Sequence, residues 1–209
     1  MSKAASPYAG LAPETWPAKT RELLKRFPLT QDEIVAPVLA AWDGIFESRI
    51  GRHGIRIGVD LFPTPQIMAS YLHELIPLEF AALHPGVWRG GMTADEKDLI
   101  HVPSPKYSIE IKTSSDPRSI FGNRSYAQTG AASRKDKSGY YLAVNFERFS
   151  PDHQTGDAPV AQRPAIRRIR FGWLDHTDWK GQSRSTGQKA VLSRESAAGK
   201  LIVLYESSA

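Results

Sequence analysis

Cysteine is absent from this 209-residue chain, which rules out disulfides and every thiolate metal site. Long apolar runs are missing as well, since no stretch approaches the roughly 20 residues that a membrane-crossing helix requires. Histidine is scarce and scattered: His53, His73, His84, His101, His153 and His176 show no ligand spacing, which argues against a histidine-held metal, and His73 reads as a packing residue within a helix. A phosphate-cradling loop is lacking too, because the Gly- and Ser-rich residues 181–189 have the wrong spacing and no Gly-Lys-Ser/Thr ending. The N-terminus has no basic start followed by an apolar run, so a cytoplasmic protein without membrane association is expected. Residues 1–20 read as a loosely held arm, and residues 21–209 as one domain whose apolar content suffices for a core.

What the chain does have is an acidic pair beside a lysine. Asp98 is followed after eleven residues by Glu110, then Ile111 and Lys112. The segment from Lys97 to Thr113 reads as strand, proline-marked turn at Pro103-Ser104-Pro105, and strand. Alternation along the second strand puts Glu110 and Lys112 on one face and Ile109 and Ile111 on the other, toward a core. A hairpin register that pairs Asp98 with Glu110 leaves a loop of about three residues. Two carboxylates near an ammonium suit a hard divalent cation and an activated water, the equipment for phosphodiester hydrolysis. The competing reading is an ordinary amphipathic strand. Against it, the strand runs directly into a polar, basic segment.

That basic excess is local: residues 118–200 contain 15 Lys/Arg against 7 Asp/Glu, in a chain of net charge +5. Such a surface attracts a polyanion and releases its counterions, although solvated basic surface alone gives the same composition. Two segments within it carry base-reading chemistry. Asn123, Arg124 and Tyr126 follow the catalytic strand, and Lys180, Gln182, Arg184 and Gln188 lie in a second polar stretch. Arginine can grip guanine and amides can grip adenine bidentately, while the same side chains on phosphates would carry no sequence information.

Thr30-Gln31-Asp32-Glu33 forms a capping box, and Ile34, Val38, Trp42, Ile45, Phe46 and Ile50 then recur at helical spacing over about five turns, with Pro37 an early kink. Residues 55–59 alternate like a short strand. A second helix starts at Thr64-Pro65, and Pro77 is expected to end or bend it. Residues 140–146, 165–174 and 200–205 are strand candidates rich in β-branched and aromatic side chains. An α/β domain with a mixed sheet flanked by helices follows.

The blocks around Lys97-Asp98, residues 107–115, 120–128, 137–147 and 172–176 together resemble the PD-(D/E)xK nuclease superfamily, and more closely its type II restriction endonucleases of the ScaI type. Lys97 stands in the place of the motif's proline, a position without a chemical role. The resemblance implies a restriction-endonuclease-like fold and a Mg2+-dependent cut in double-stranded DNA at a short palindrome, leaving 5′-phosphates. It implies Asp98, Glu110 and the Ile111 carbonyl as metal ligands and Lys112 as the residue that orients or helps deprotonate the attacking water. An acidic residue from a helix often stands near the metal in this superfamily, and Glu47 is preferred to Asp43 for that role. A homodimer and a cognate DNA methyltransferase in the same cell are the implied partners. A structure-specific repair or junction-resolving nuclease, and a catalytically silent DNA-binding module, remain the alternatives.

Overall fold

The computed structural model describes residues 5–127, 136–150, 163–181 and 189–207. Its helical side begins at the capping box: Thr30 accepts the Glu33 backbone N–H at 3.3 Å, and the Glu33 carboxylate accepts the Thr30 N–H at 2.8 Å. From there α2 (Gln31–Glu47) buries Ile34, Val38, Ala41, Trp42 and Ile45. It ends before Ile50, which instead pairs with Ile55 across the turn at residues 51–54. The short strand expected at residues 55–59 is reduced to two isolated bridges, Ile50 with Ile55 and Ile57 with Leu61.

Helix α3 (Pro65–Leu83) starts on its proline as anticipated but does not stop at Pro77. Burial of Ile76, Pro77 and Phe80 against the sheet offsets the missing hydrogen bond, a penalty of about 3 kcal/mol in an isolated helix. The segment expected as a loosely held arm is fastened from Ser6 onward. Ser6 Oγ donates to Asp175 at 2.8 Å, and the buried Tyr8 hydroxyl meets Thr20 Oγ1 at 2.8 Å. Thr20 lies on α1 (Trp16–Lys25) and also reaches the carbonyl of Gly199, the last residue of the short α4 (Arg194–Gly199), at 3.0 Å. The side chains of Ser6, Tyr8 and Thr20 thus tie the chain start to α1, α4 and Asp175.

The main sheet has six strands: β1 (Trp88–Gly90), β2 (Leu99–His101), β3 (Ile109–Ser114), β5 (Gly139–Phe146), β6 (Ile166–Leu174) and β9 (Leu201–Glu206), in that spatial order. All neighbours are antiparallel except β3 and β5. A parallel pair needs a crossover, and residues 115–138 supply it. Within that crossover lies β4 (Phe121–Asn123), which joins β8 (Lys189–Leu192) and β7 (Trp179–Gly181) in a separate three-stranded sheet, ordered β4-β8-β7. The result is the mixed α/β architecture expected, with an additional small sheet.

One face of the main sheet places Ile109, Ile111, Leu142, Val144 and Phe171 against α2 and α3 in a single core. The opposite face carries Tyr141, Ala143 and Leu174, which pack with Tyr126, Trp179, Ala190 and Leu192 of the small-sheet layer. Glu110 and Lys112 stand directly opposite Tyr141 and Ala143 in the parallel register and share their face. β3 is therefore covered on both sides.

Candidate active site

The pairing of Leu99 with Ile109 gives the hairpin the register that brings Asp98 across from Glu110. The connection is longer than three residues, because β2 ends at His101 and a 3-10 turn spans Pro105–Tyr107. Prolines at 103 and 105 have no N–H for the ladder. The His101 N–H instead donates to Ser108 Oγ at 3.2 Å.

Asp98 precedes β2 but is tied to β3, accepting the Ile111 backbone N–H at 2.7 Å. Lys112 Nζ donates to Glu110 Oε1 at 2.8 Å and to the Ile111 carbonyl at 3.1 Å. Glu110 is only 2% exposed and Lys112 9%, so this is a buried ion pair whose partners depend on each other. The Tyr126 hydroxyl donates to the same Glu110 oxygen, and Lys112 Nζ lies 4.7 Å over the Tyr126 ring. Burial pushes the Tyr126 phenol upward, and the Glu110 charge adds to it. Tyr126 is thus a protonated donor at neutral pH.

Further groups face this cluster that sequence reasoning left out of the chemistry. His73, on α3, is held below its ordinary value by burial, with Asp98 and Glu110 opposing and Lys112 reinforcing that shift. It is neutral near pH 7. The Lys137 ammonium lies 5.2 Å over the Tyr126 ring and is lowered by burial, while Glu110 raises it. Lys97 donates to the carbonyls of Asp136 and Ser138, each at 3.1 Å. Gly139, at φ +142°, makes room for it, since a Cβ there would lie 2.9 Å from Lys97 Cε. Only the position of Lys97 beside Asp98 hinted at this.

Two carboxylates and a backbone carbonyl form an all-oxygen donor set, which suits Mg2+. Among the described residues no three His, Cys, Asp or Glu side chains gather as a metal group, so a cation here would complete its shell with water and phosphate oxygens. That is the ordinary habit of Mg2+ in phosphoryl-transfer sites.

Glu47 is not grouped with these residues. It is exposed at the last position of α2, whose packing partners include α3, β6 and β9, whereas the helix that packs on β3 is α3. Helical spacing identified an acid beside an apolar stripe but could not say which helix packs on β3. Of the base-reading candidates, Asn123 is exposed at the end of β4 and Lys180 is exposed on β7. Arg124 is half-buried in the 3-10 turn Arg124–Ala127, and Tyr126 is turned inward to Glu110. Gln182, Arg184 and Gln188 lie outside the described residues. A cleft of about 890 Å³ opens beyond Lys112, lined by Thr113 to Asp116, with Arg148, Arg167 and Lys189 supplying cations.

No helix among the described residues is long and apolar enough to cross a membrane. A family model described as ScaI restriction endonuclease matches residues 6–205. Over 201 residues the chain is 48% identical to the type II restriction enzyme ScaI of Streptomyces caespitosus, covering 96% of this chain and 85% of that protein. Similarity on that scale takes in both sheets and the whole Asp98-to-Lys112 hairpin, and the chain accordingly belongs to the ScaI restriction endonuclease family and is a restriction endonuclease.

Proposed function

We propose that the chain is a Mg2+-dependent type II deoxyribonuclease of the PD-(D/E)xK superfamily that cuts double-stranded DNA at a short palindrome and leaves 5′-phosphates. The observation that carries this reading is the hydrogen bond from the Ile111 N–H to Asp98, which holds one carboxylate against the strand bearing the second carboxylate and the lysine. Asp98, Glu110 and the Ile111 carbonyl would hold the metal. When bound, Mg2+ polarises the scissile phosphate and lowers the pKa of a coordinated water. Lys112, kept in place by Glu110, orients the attacking water or helps to deprotonate it, the second role requiring that it first give up its own proton. The water oxygen forms the new bond to phosphorus, the bond to the 3′-oxygen breaks, and the 5′-side keeps the phosphate.

Asn123, Arg124 and Lys180, with Gln182, Arg184 and Gln188, contact the DNA. A homodimer matches the two-fold symmetry of a palindrome, and a methyltransferase of the same specificity protects the host DNA in the cytoplasm. Digestion of plasmid DNA with added Mg2+ tests the reading. Discrete fragments with common 5′-phosphorylated ends support it; cleavage only of branched or damaged DNA, or none, refutes it.

A further inference from the structure

Tyr126 occupies a position that neither a base reader nor a metal ligand accounts for. Its hydroxyl is on Glu110, yet its ring belongs to the small sheet. Gly122 of β4 lies so close that a Cβ there would stand 3.0 Å from the ring, and Trp179 of β7 packs on it with centroids 5.3 Å apart. β4 ends in the exposed Asn123, and Lys180 follows Trp179 in β7. The exposed side chains of Asn123 and Lys180 and the two residues that hold the Tyr126 ring, Gly122 and Trp179, are thus adjacent on the same strands. Tyr126 itself sits in the 3-10 turn that Arg124 opens.

We propose that Tyr126 is a positioning residue that couples the seating of DNA on the small sheet to the orientation of the Glu110 carboxylate. The proposal rests on the reading of Glu110 as a metal ligand. A shift of β4 or β7 against the main sheet displaces the ring, because packed aromatic contacts transmit small movements. The phenol then pulls on, or releases, the same Glu110 oxygen that Lys112 holds. Cognate DNA and metal accordingly strengthen each other's binding, and by linkage the factor is the same in both directions.

Calorimetry with Ca2+, which replaces Mg2+ without supporting cleavage, measures that factor. Ca2+ is titrated into the protein alone, with a duplex carrying the site cut in the plasmid digestion, and with a scrambled duplex. In the wild-type protein the site-bearing duplex tightens Ca2+ binding more than the scrambled one. In Tyr126→Phe this difference shrinks at least fivefold, while Ca2+ affinity without DNA stays within about twofold and the melting temperature is maintained. Gly122→Ala, which pushes on the ring without touching the hydroxyl, reduces the same difference. No coupling in the wild-type protein, or full coupling in folded Tyr126→Phe, overturns the proposal. Unchanged Ca2+ binding in Glu110→Gln instead overturns the metal-ligand reading beneath it, so the two failures are told apart.

Discussion

Asp98 and Ile111 are thirteen positions apart, and the 2.7 Å hydrogen bond between the Asp98 carboxylate and the Ile111 N–H makes one rigid unit of the hairpin. This contact gives Asp98 a structural duty beside its proposed chemical one, and the two can be separated. Asp98→Ala and Asp98→Asn both abolish cleavage, and Glu110→Ala does so too, with DNA binding in the absence of divalent metal intact or tighter because phosphate repulsion is relieved. Asp98→Asn keeps an acceptor for Ile111 and melts near the wild type, whereas Asp98→Ala loses about 1–3 kcal/mol. Single-turnover cleavage and denaturant melts check this; near wild-type cutting by either Asp98 variant sinks the assignment.

Lys112→Ala is expected to slow the chemical step by on the order of a hundredfold or more. It also leaves Glu110 buried with a charge no longer matched, a loss of about 3–5 kcal/mol in such pairs. Removing both partners is milder, so Lys112→Ala/Glu110→Ala is less destabilised than the sum of the single variants. Arginine rescues poorly because its guanidinium is larger and does not deprotonate. Additive stability losses in the double-mutant cycle contradict the buried pair.

Glu96 has a carboxyl held down to about 2 by the Arg89 guanidinium and by the Met92 N–H. A depressed carboxylate contributes stability above its unfolded value of 4.5 that is lost as pH falls toward about 2. Glu96→Gln therefore flattens the acid limb of the stability curve between these values. Carboxyl NMR on Arg89→Ala should show Glu96 titrating closer to the ordinary range; an unmoved titration shows that the backbone donor alone sets it.

Sequence readers and phosphate anchors separate by salt. Asn123→Ala, Arg124→Ala, Gln182→Ala and Arg184→Ala should lose roughly 1–3 kcal/mol on the cognate duplex and little on a scrambled one if they touch base edges. Lys180→Ala should weaken both alike and reduce the salt slope by about 1. Binding titrations at two salt concentrations with Ca2+ decide it, and equal losses on both duplexes for every variant refute base readout here.

The residues that sequence reasoning placed well are those governed by local rules. The capping box, the start of α3 on Pro65 and the register of Asp98 with Glu110 all follow from spacing and turn chemistry over a few residues. The small sheet was missed because Phe121–Asn123 and Trp179–Gly181 are too short to show alternation, and the partner of Phe121–Asn123 lies far along the chain. Tyr126 stands in a polar basic run, where nothing local signals that its hydroxyl turns inward. Nothing local in residues 6–20 marks Ser6 and Thr20 as anchors, because their partners, Asp175 and Gly199, are more than 160 positions away.

The crossover between β3 and β5 begins under a buried knot: Arg170 Nη2 bonds Asn145 Oδ1 at 2.7 Å and the Arg118 carbonyl at 2.9 Å, while Asn145 Nδ2 reaches the carbonyls of Asp116 and Ser119. At its other end Lys97 bonds the carbonyls of Asp136 and Ser138. Both feet of the excursion are pinned to the framework by side chains outside it. Substitutions between those feet leave the β3–β5 ladder in register, and among the described side chains of the excursion it is Tyr126 that hands a change on to Glu110.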